Sequence, residues 1–176
     1  MITSDTKPID GGIRILTMFL DHLFMTIIMM LFSLPVIVPS FTNRFNDSSE
    51  PAFFGIFEGP MKYVGLIGFA LYFCKDMFNG RSISKRILKL QVVDNKTGKA
   101  ATPIQCVVRN LFCVFWPIEV FVAVNNTSRR LGDKVAGTKL VYYKSTFERP
   151  KMKIFNLLLS FIIAYGFSLL IDLSVT

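Results

Sequence analysis

Three ionisable side chains, Arg14, Asp21 and His22, interrupt an otherwise apolar stretch at 13–38, IRILTMFLDHLFMTIIMMLFSLPVIV. An aspartate inside a membrane-spanning helix can do two kinds of chemistry. It can titrate or hold a cation, with His22 as a proton relay beside it, as intramembrane acids of proton-coupled carriers do. Alternatively, a cationic partner can neutralise it, so that the pair fixes how helices pack. Seven residues make nearly two helical turns, so Arg14 and Asp21 share a face about 10 Å apart along the axis, while His22 points roughly 100° away. That angle favours a packing role for His22. An aspartate near a bilayer centre costs roughly 2.5–3.5 kcal/mol, so the fold has to compensate it.

The element that carries these groups is long enough to cross a membrane, since roughly 20 apolar residues suffice. The chain has 176 residues, 52% of them hydrophobic, which is too apolar for an ordinary soluble domain and fits one compact membrane domain. The net charge of +8 is confined to two stretches that flank apolar segments. That placement points to anionic lipid headgroups and away from a nucleic-acid groove. Cys74, Cys106 and Cys113 lie in or beside apolar segments without CxxC spacing, which marks them as packing residues. No metal set is legible.

Three segments are expected to span: 13–38, 60–78 and 154–173. Residues 1–12 form a cytoplasmic lead in which Asp10 can cap the first helix. Pro35 and Pro39 are expected to end or bend that helix, and 40–59 is then a phenylalanine-rich loop on the outer side. In the second span Gly65, Gly68 and Ala70 offer a small-residue surface to a neighbouring helix. The stretch 79–103 carries Arg81, Lys85, Arg86, Lys89, Lys96 and Lys99 against Asp94 alone, as a cytoplasmic loop should.

The segment 104–124 is ambiguous, because it contains Arg109, Pro117 and Glu119, and a second basic stretch follows it. A single crossing would put that basic stretch outside. Alternating runs at 88–93 and 139–144 read as two short strands that need each other, and they can pair only on one side of the membrane. The expectation is therefore a broken or re-entrant helical segment bent near Pro117, with a two-stranded cytoplasmic β element. The fold class is an all-α integral membrane protein: a domain over 13–144, then a linker and one further helix over 145–176.

Enzyme chemistry is not legible. There is no Ser/His/Asp spacing, phosphate loop or metal cluster, and 80–86, GRSISKR, lacks the Walker pattern. The basic groups Arg81, Lys85, Arg86, Arg129 and Arg130 are expected to meet lipid headgroups. No cofactor is implied.

With these motifs in place, the chain resembles the RDD family of small bacterial membrane proteins, named for one arginine and two aspartates. Arg14 and Asp21 match the arginine and first aspartate, and Asp133 in 129–138, RRLGDKVAGT, matches the second with its trailing A-G-T. GRSISKR running into 90–94, LQVVD, is similar to the family's G-x-x-x-G-K-R…V-V-D stretch, with Ser84 in place of the usual glycine. Arg109-Asn110 matches an R-N pair that opens the third segment. The resemblance covers about residues 9–143 and implies a bacterial inner-membrane location. It also implies two functional possibilities, since some members have been proposed as cation/proton antiporters or ligand transporters, and RDD-type domains occur in proteins that help assemble membrane complexes.

Arg14 at the inner interface is expected to meet Asp133, and Asp21, deeper, to meet Arg109, making two buried ion pairs. The favoured function is a non-enzymatic accessory or assembly subunit of a larger membrane complex, its N-terminus cytoplasmic. Its partners would be the bilayer and other membrane subunits, with homo-oligomers possible and nucleic acid not. The alternative is a small cation- or proton-coupled transporter, or ligand transporter, acting as an oligomer, with Asp21 and His22 as its site. A chain with about three spans and no inverted repeat offers little for two alternating gates.

Overall fold

Asp10 starts the first helix: its Oδ1 accepts hydrogen bonds from the amides of Gly12 at 2.8 Å and Ile13 at 3.4 Å. Such a cap satisfies donors that have no partner within the helix. The computed structural model describes residues 9–46, 62–125, 129–143 and 154–175. Helix α1 runs Gly11–Asn46. Pro35 and Pro39 were expected to end the helix or bend it, and the first of these alternatives is corrected, because the helical backbone continues past both prolines. Prolines are tolerated in membrane helices, where neighbouring structure meets the freed carbonyls. The part apolar enough to cross a membrane is Gly11–Pro35.

Helix α2, Lys62–Phe73, has 12 residues and is about 18 Å long, short of a ~30 Å hydrocarbon core. The expected span 60–78 is thus not seen as one helix, and most of the expected outer loop lies outside the described residues. After Phe73 the chain turns over 74–80, which swings Asp76 into the interior. Gly80 closes that turn at φ +65°, where a Cβ would lie 2.4 Å from the Val92 carbonyl oxygen. Of the small-residue surface on α2, Gly68 already faces Met29 and Phe32 of α1, and Ala70 is buried in the chain's own core.

Helix α3 (Ile83–Ile87) leads into β1 (Leu90–Asp94), which pairs antiparallel with β2 (Thr138–Tyr142), Val92 opposite Leu140. The two-stranded element expected from the alternating runs is present, and it brings the described parts of the two basic stretches, 79–103 and 129–143, together. Ile9 and the start of α1 pack on it through Leu90, Val92, Ala101, Cys106 and Leu140.

Helix α4 (Pro103–Leu111) is opened by a capping box between Thr102 and Gln105. It passes through a 3-10 turn at Phe112–Phe115 into α5 (Trp116–Asn125), and the axis bends by 112°. The segment is broken next to Pro117, as expected. Short α6 (Leu131–Val135) precedes β2, and α7 (Ile154–Val175) packs on α2 and α4 around Ala70, Phe73, Cys74, Val107 and Ala164. Among the described residues two helices, α1 and α7, are long and apolar enough to cross a membrane, and the bent pair is a third if it counts as one span.

Candidate functional site

Four carboxylates and four cations are buried together where the head of α1 meets the turn after α2 and helices α3, α4 and α6. Asp133, on α6, is the first hub. Its Oδ2 accepts from Arg14 Nη2 and its Oδ1 from Arg109 Nε, both at 2.7 Å. Thr138 Oγ donates to the same Oδ1 at 2.9 Å, and the Arg130 amide to Oδ2 at 3.2 Å. Burial alone would raise the Asp133 carboxyl. The guanidiniums of Arg109, Arg14 and Arg130 overcome that and hold it well below the usual carboxylate range.

Asp76 is the second hub. Arg109 reaches from Asp133 across to Asp76, Nη1 to Oδ2 at 2.8 Å. Lys85 Nζ lies 2.8 Å from the other Asp76 oxygen and also donates to Asp21. Ser82 and Ser84 donate their hydroxyls to Asp21 Oδ1 as well. The result is one alternating series: Arg14, Asp133, Arg109, Asp76, Lys85, Asp21. It leaves α1 at Arg14 and returns to α1 at Asp21, nearly two turns on. A branch joins it through Asn110, which donates to the Phe73 carbonyl at 3.0 Å and accepts from Arg130 Nη2 at 2.9 Å. Arg130 in turn pairs with Glu119 of α5 at 2.9 Å.

Local sequence explains how the groups arrive. Ser82 caps α3, which aims Lys85 from its first turn at both aspartates. Gly137, at φ +66°, permits the turn between α6 and β2 that sets Thr138 against Asp133. Gly132 lets α6 lie directly on α4: an added Cβ would sit 2.1 Å from the Arg109 carbonyl oxygen, and the Gly132 amide donates to Glu119 at 2.8 Å.

Arg14 and Asp133 are in contact, as the sequence suggested. The expected Asp21–Arg109 pair is corrected: Arg109 lies between Asp133 and Asp76, and Asp21 takes Lys85. The lipid-contact reading is likewise corrected for Lys85 and Arg130, which are 3% and 5% exposed. Arg81 lies over the Tyr143 ring at 3.9 Å, Arg129 donates to the Thr138 carbonyl at 3.3 Å, and Arg86 is exposed. His22 is 3.4 Å from the Tyr72 hydroxyl, away from the series.

Asp76 and Glu119 are not among the candidate residues that the sequence offers. Glu119 carried the same signal as Asp21, an acid inside an apolar segment. Asp76, between Lys75 and Met77 at a helix end, reads as an ordinary interfacial charge. Among the described residues, no group of three or more His, Cys, Asp or Glu is placed to hold a metal, and the three cysteines are buried and unpaired.

The arrangement neutralises charge pairwise and ties five elements to α1. A search of curated proteins and of solved structures finds no match. The family model of the RDD family matches residues 11–137, from the head of α1 to the turn before β2, which includes every charged member of the series. On that match over more than half its length, this chain, with apolar helices fit for a membrane, belongs to the RDD family.

Proposed function

We propose that this chain is a non-enzymatic integral membrane subunit, an accessory or assembly component of a larger complex in a bacterial inner membrane. The observation that supports this reading is that the buried charges neutralise one another. Each of the four carboxylates has a cation within 2.9 Å, and each is further held by hydroxyl or amide donors. Groups engaged in this way make a rigid base for helices whose outer faces are left for other molecules. Only 22% of the apolar window of α1 and 17% of that of α7 is buried within the chain, so lipid or neighbouring subunits cover the rest.

The rival reading, a cation- or proton-coupled transporter or a ligand transporter working as an oligomer, has one feature in its favour: Asp21 borders a cavity. Gentle extraction from cells at native expression, followed by mass measurement, separates the two. A stoichiometric assembly with other membrane proteins is expected. A solitary 20.0 kDa species that moves Na⁺ or H⁺ in liposomes, and stops doing so as Asp21→Asn while still folded, would replace this proposal with the rival.

The proposed orientation has the N-terminus, α3, α6 and the β pair on the cytoplasmic side, following the placement of Lys and Arg. Single cysteines at the exposed positions Lys89 and Lys134 should both label from the cytoplasmic face only. Labelling from the outer face would invert the topology.

A further inference from the structure

Between α1 and the end of α2 lies a cavity of about 210 Å³. Phe24 and Ile28 of α1, Leu71 of α2, and Phe78 and Ile83 beyond it supply apolar walls. Its polar lining is Asp21, Lys75 and Ser82, all at the end where the charge series lies. Ile28 is seven residues beyond Asp21 on α1, about 10 Å further along the helix from its charged head. The cavity is therefore polar near the charged end of the molecule and apolar at depth.

Lys75 sets its chemistry. The four buried cations of the series match four buried carboxylates, and Lys75 is a fifth cation beside them. Among the described residues no carboxylate lies within ion-pair distance of it. Its Nζ sits 4.2 Å from the centre of the Tyr72 ring and 3.9 Å from Cys113 Sγ. A cation held by a ring face and a thiol, in surroundings otherwise neutral in sum, leaves a net positive charge in the cavity wall. Asp21 borders the same space, but Lys85, Ser82 and Ser84 already engage its oxygens.

We propose that this cavity holds one acyl chain of an anionic phospholipid, whose phosphate is bound by Lys75. A phosphate supplies the missing negative charge, and a hydrocarbon chain suits walls that a free inorganic anion could not use. Sites that enclose whole ligands usually run to ~300–1,000 Å³, so this one takes a segment of the lipid while the rest stays in the bilayer.

The test is lipid retention by the full chain in mild detergent, read by native mass spectrometry, with phosphatidylglycerol against phosphatidylcholine of identical chains and inorganic phosphate as a third arm. Phosphatidylglycerol should be retained about tenfold better than phosphatidylcholine, the scale of one charge-assisted contact, and phosphate alone should not bind. Lys75→Gln should erase that preference and Lys75→Arg keep it. Arg86→Gln, at an exposed lysine- and arginine-rich surface, should change nothing. Leu71→Trp, which fills the cavity and keeps the charge, should lower retention of both lipids. Equal retention of the two lipids by the unaltered chain overturns the proposal, as does an Arg86→Gln loss equal to that of Lys75→Gln. If Lys75→Gln does not fold, Leu71→Trp decides, and undiminished phosphatidylglycerol retention by it overturns the proposal.

Discussion

Helices α4 and α7 both pack on α2, yet they are held by opposite means. Helix α7 brings Ala164 and the aromatic rings of Phe161 and Phe167 to the contact, and its buried hydroxyls, Ser160 and Ser168, bond back to carbonyls of their own helix. Helix α4 brings Arg109 and Asn110, both almost wholly buried and both bonded to Asp76 beside the end of α2. In lipid there is no hydrophobic gain from joining two apolar helices, so α7 depends on close packing alone. At the α4 end the alternative to the observed arrangement is an unpaired charge, which is far costlier. The position of α4 is therefore specified by charge and that of α7 by shape, and substitutions in the two regions should differ in kind.

The largest effect should come from a hub. Asp133→Asn keeps the shape of the side chain but leaves Arg109, Arg14 and Arg130 without their shared carboxylate. Removing one partner of a buried ion pair costs roughly 3–5 kcal/mol, and this one serves three cations. Thermal unfolding in detergent should show a collapse in stability or no folded protein. Arg14→Met, at the tip of the series, removes one of three cations around Asp133 and should cost clearly less. Equal losses from the two variants would mean that Asp133 is not a hub.

Gly132→Ala sharpens the same contrast by sterics. The new methyl would meet the Arg109 carbonyl oxygen at 2.1 Å, so α6 must lift from α4 and stretch the ion pairs beneath it. Overpacking of this sort costs about 1–3 kcal/mol. Gly166→Ala in α7, whose Cβ would meet nothing within 4 Å, should be neutral by the same melt.

Much of this was readable in the residues, and the failures have a common cause. The break beside Pro117 and the pairing of 88–93 with 139–144, found as 90–94 with 138–142, follow from the expectation that two basic stretches share one side of a membrane. Arg14 with Asp133 follows from the place of Arg14 at the head of the first helix, where the inner interface was expected, and from the family motif. The partner of Asp21 does not. Lys85 is 64 residues away in sequence and reaches Asp21 because the 74–80 turn and the Ser82 cap place α3 beside α1. No periodicity reports such a turn, so Lys85 reads as one more loop lysine. The same holds for Arg130, whose partners Asn110 and Glu119 are brought together by the 112° break. Charge counting along the chain finds the basic stretches, but it does not separate the cations that face water from those that face carboxylates.

Smaller in effect is Ser84→Ala. Ser84 stands where the family resemblance would put glycine, and its hydroxyl is one of two that donate to Asp21. With Ser82 and Lys85 still in place, the loss should be about 1 kcal/mol, the net value of one hydrogen bond. A loss as large as that of Asp133→Asn would make Asp21, not Asp133, the dominant anchor of α1.

The smallest expected effect is that of pH, and its sign follows from Asp133. A carboxyl whose folded pKa is depressed contributes stability that is fully present above its unfolded value, ~3.9, and is lost only as pH falls through the folded value. Asp133 is held low by Arg109, Arg14 and Arg130, after burial has worked the other way, so its pairs stay intact through mild acid. Melting temperature should be flat from pH 8 to about pH 5, and any decline tied to this hub should begin only below about pH 4. In Asp133→Asn, if any folded protein survives, that acid decline should shrink, since the group that must be protonated is gone. An acid limb unchanged in the variant would locate the pH sensitivity elsewhere, and a step near neutral pH would point to a group outside the charge series.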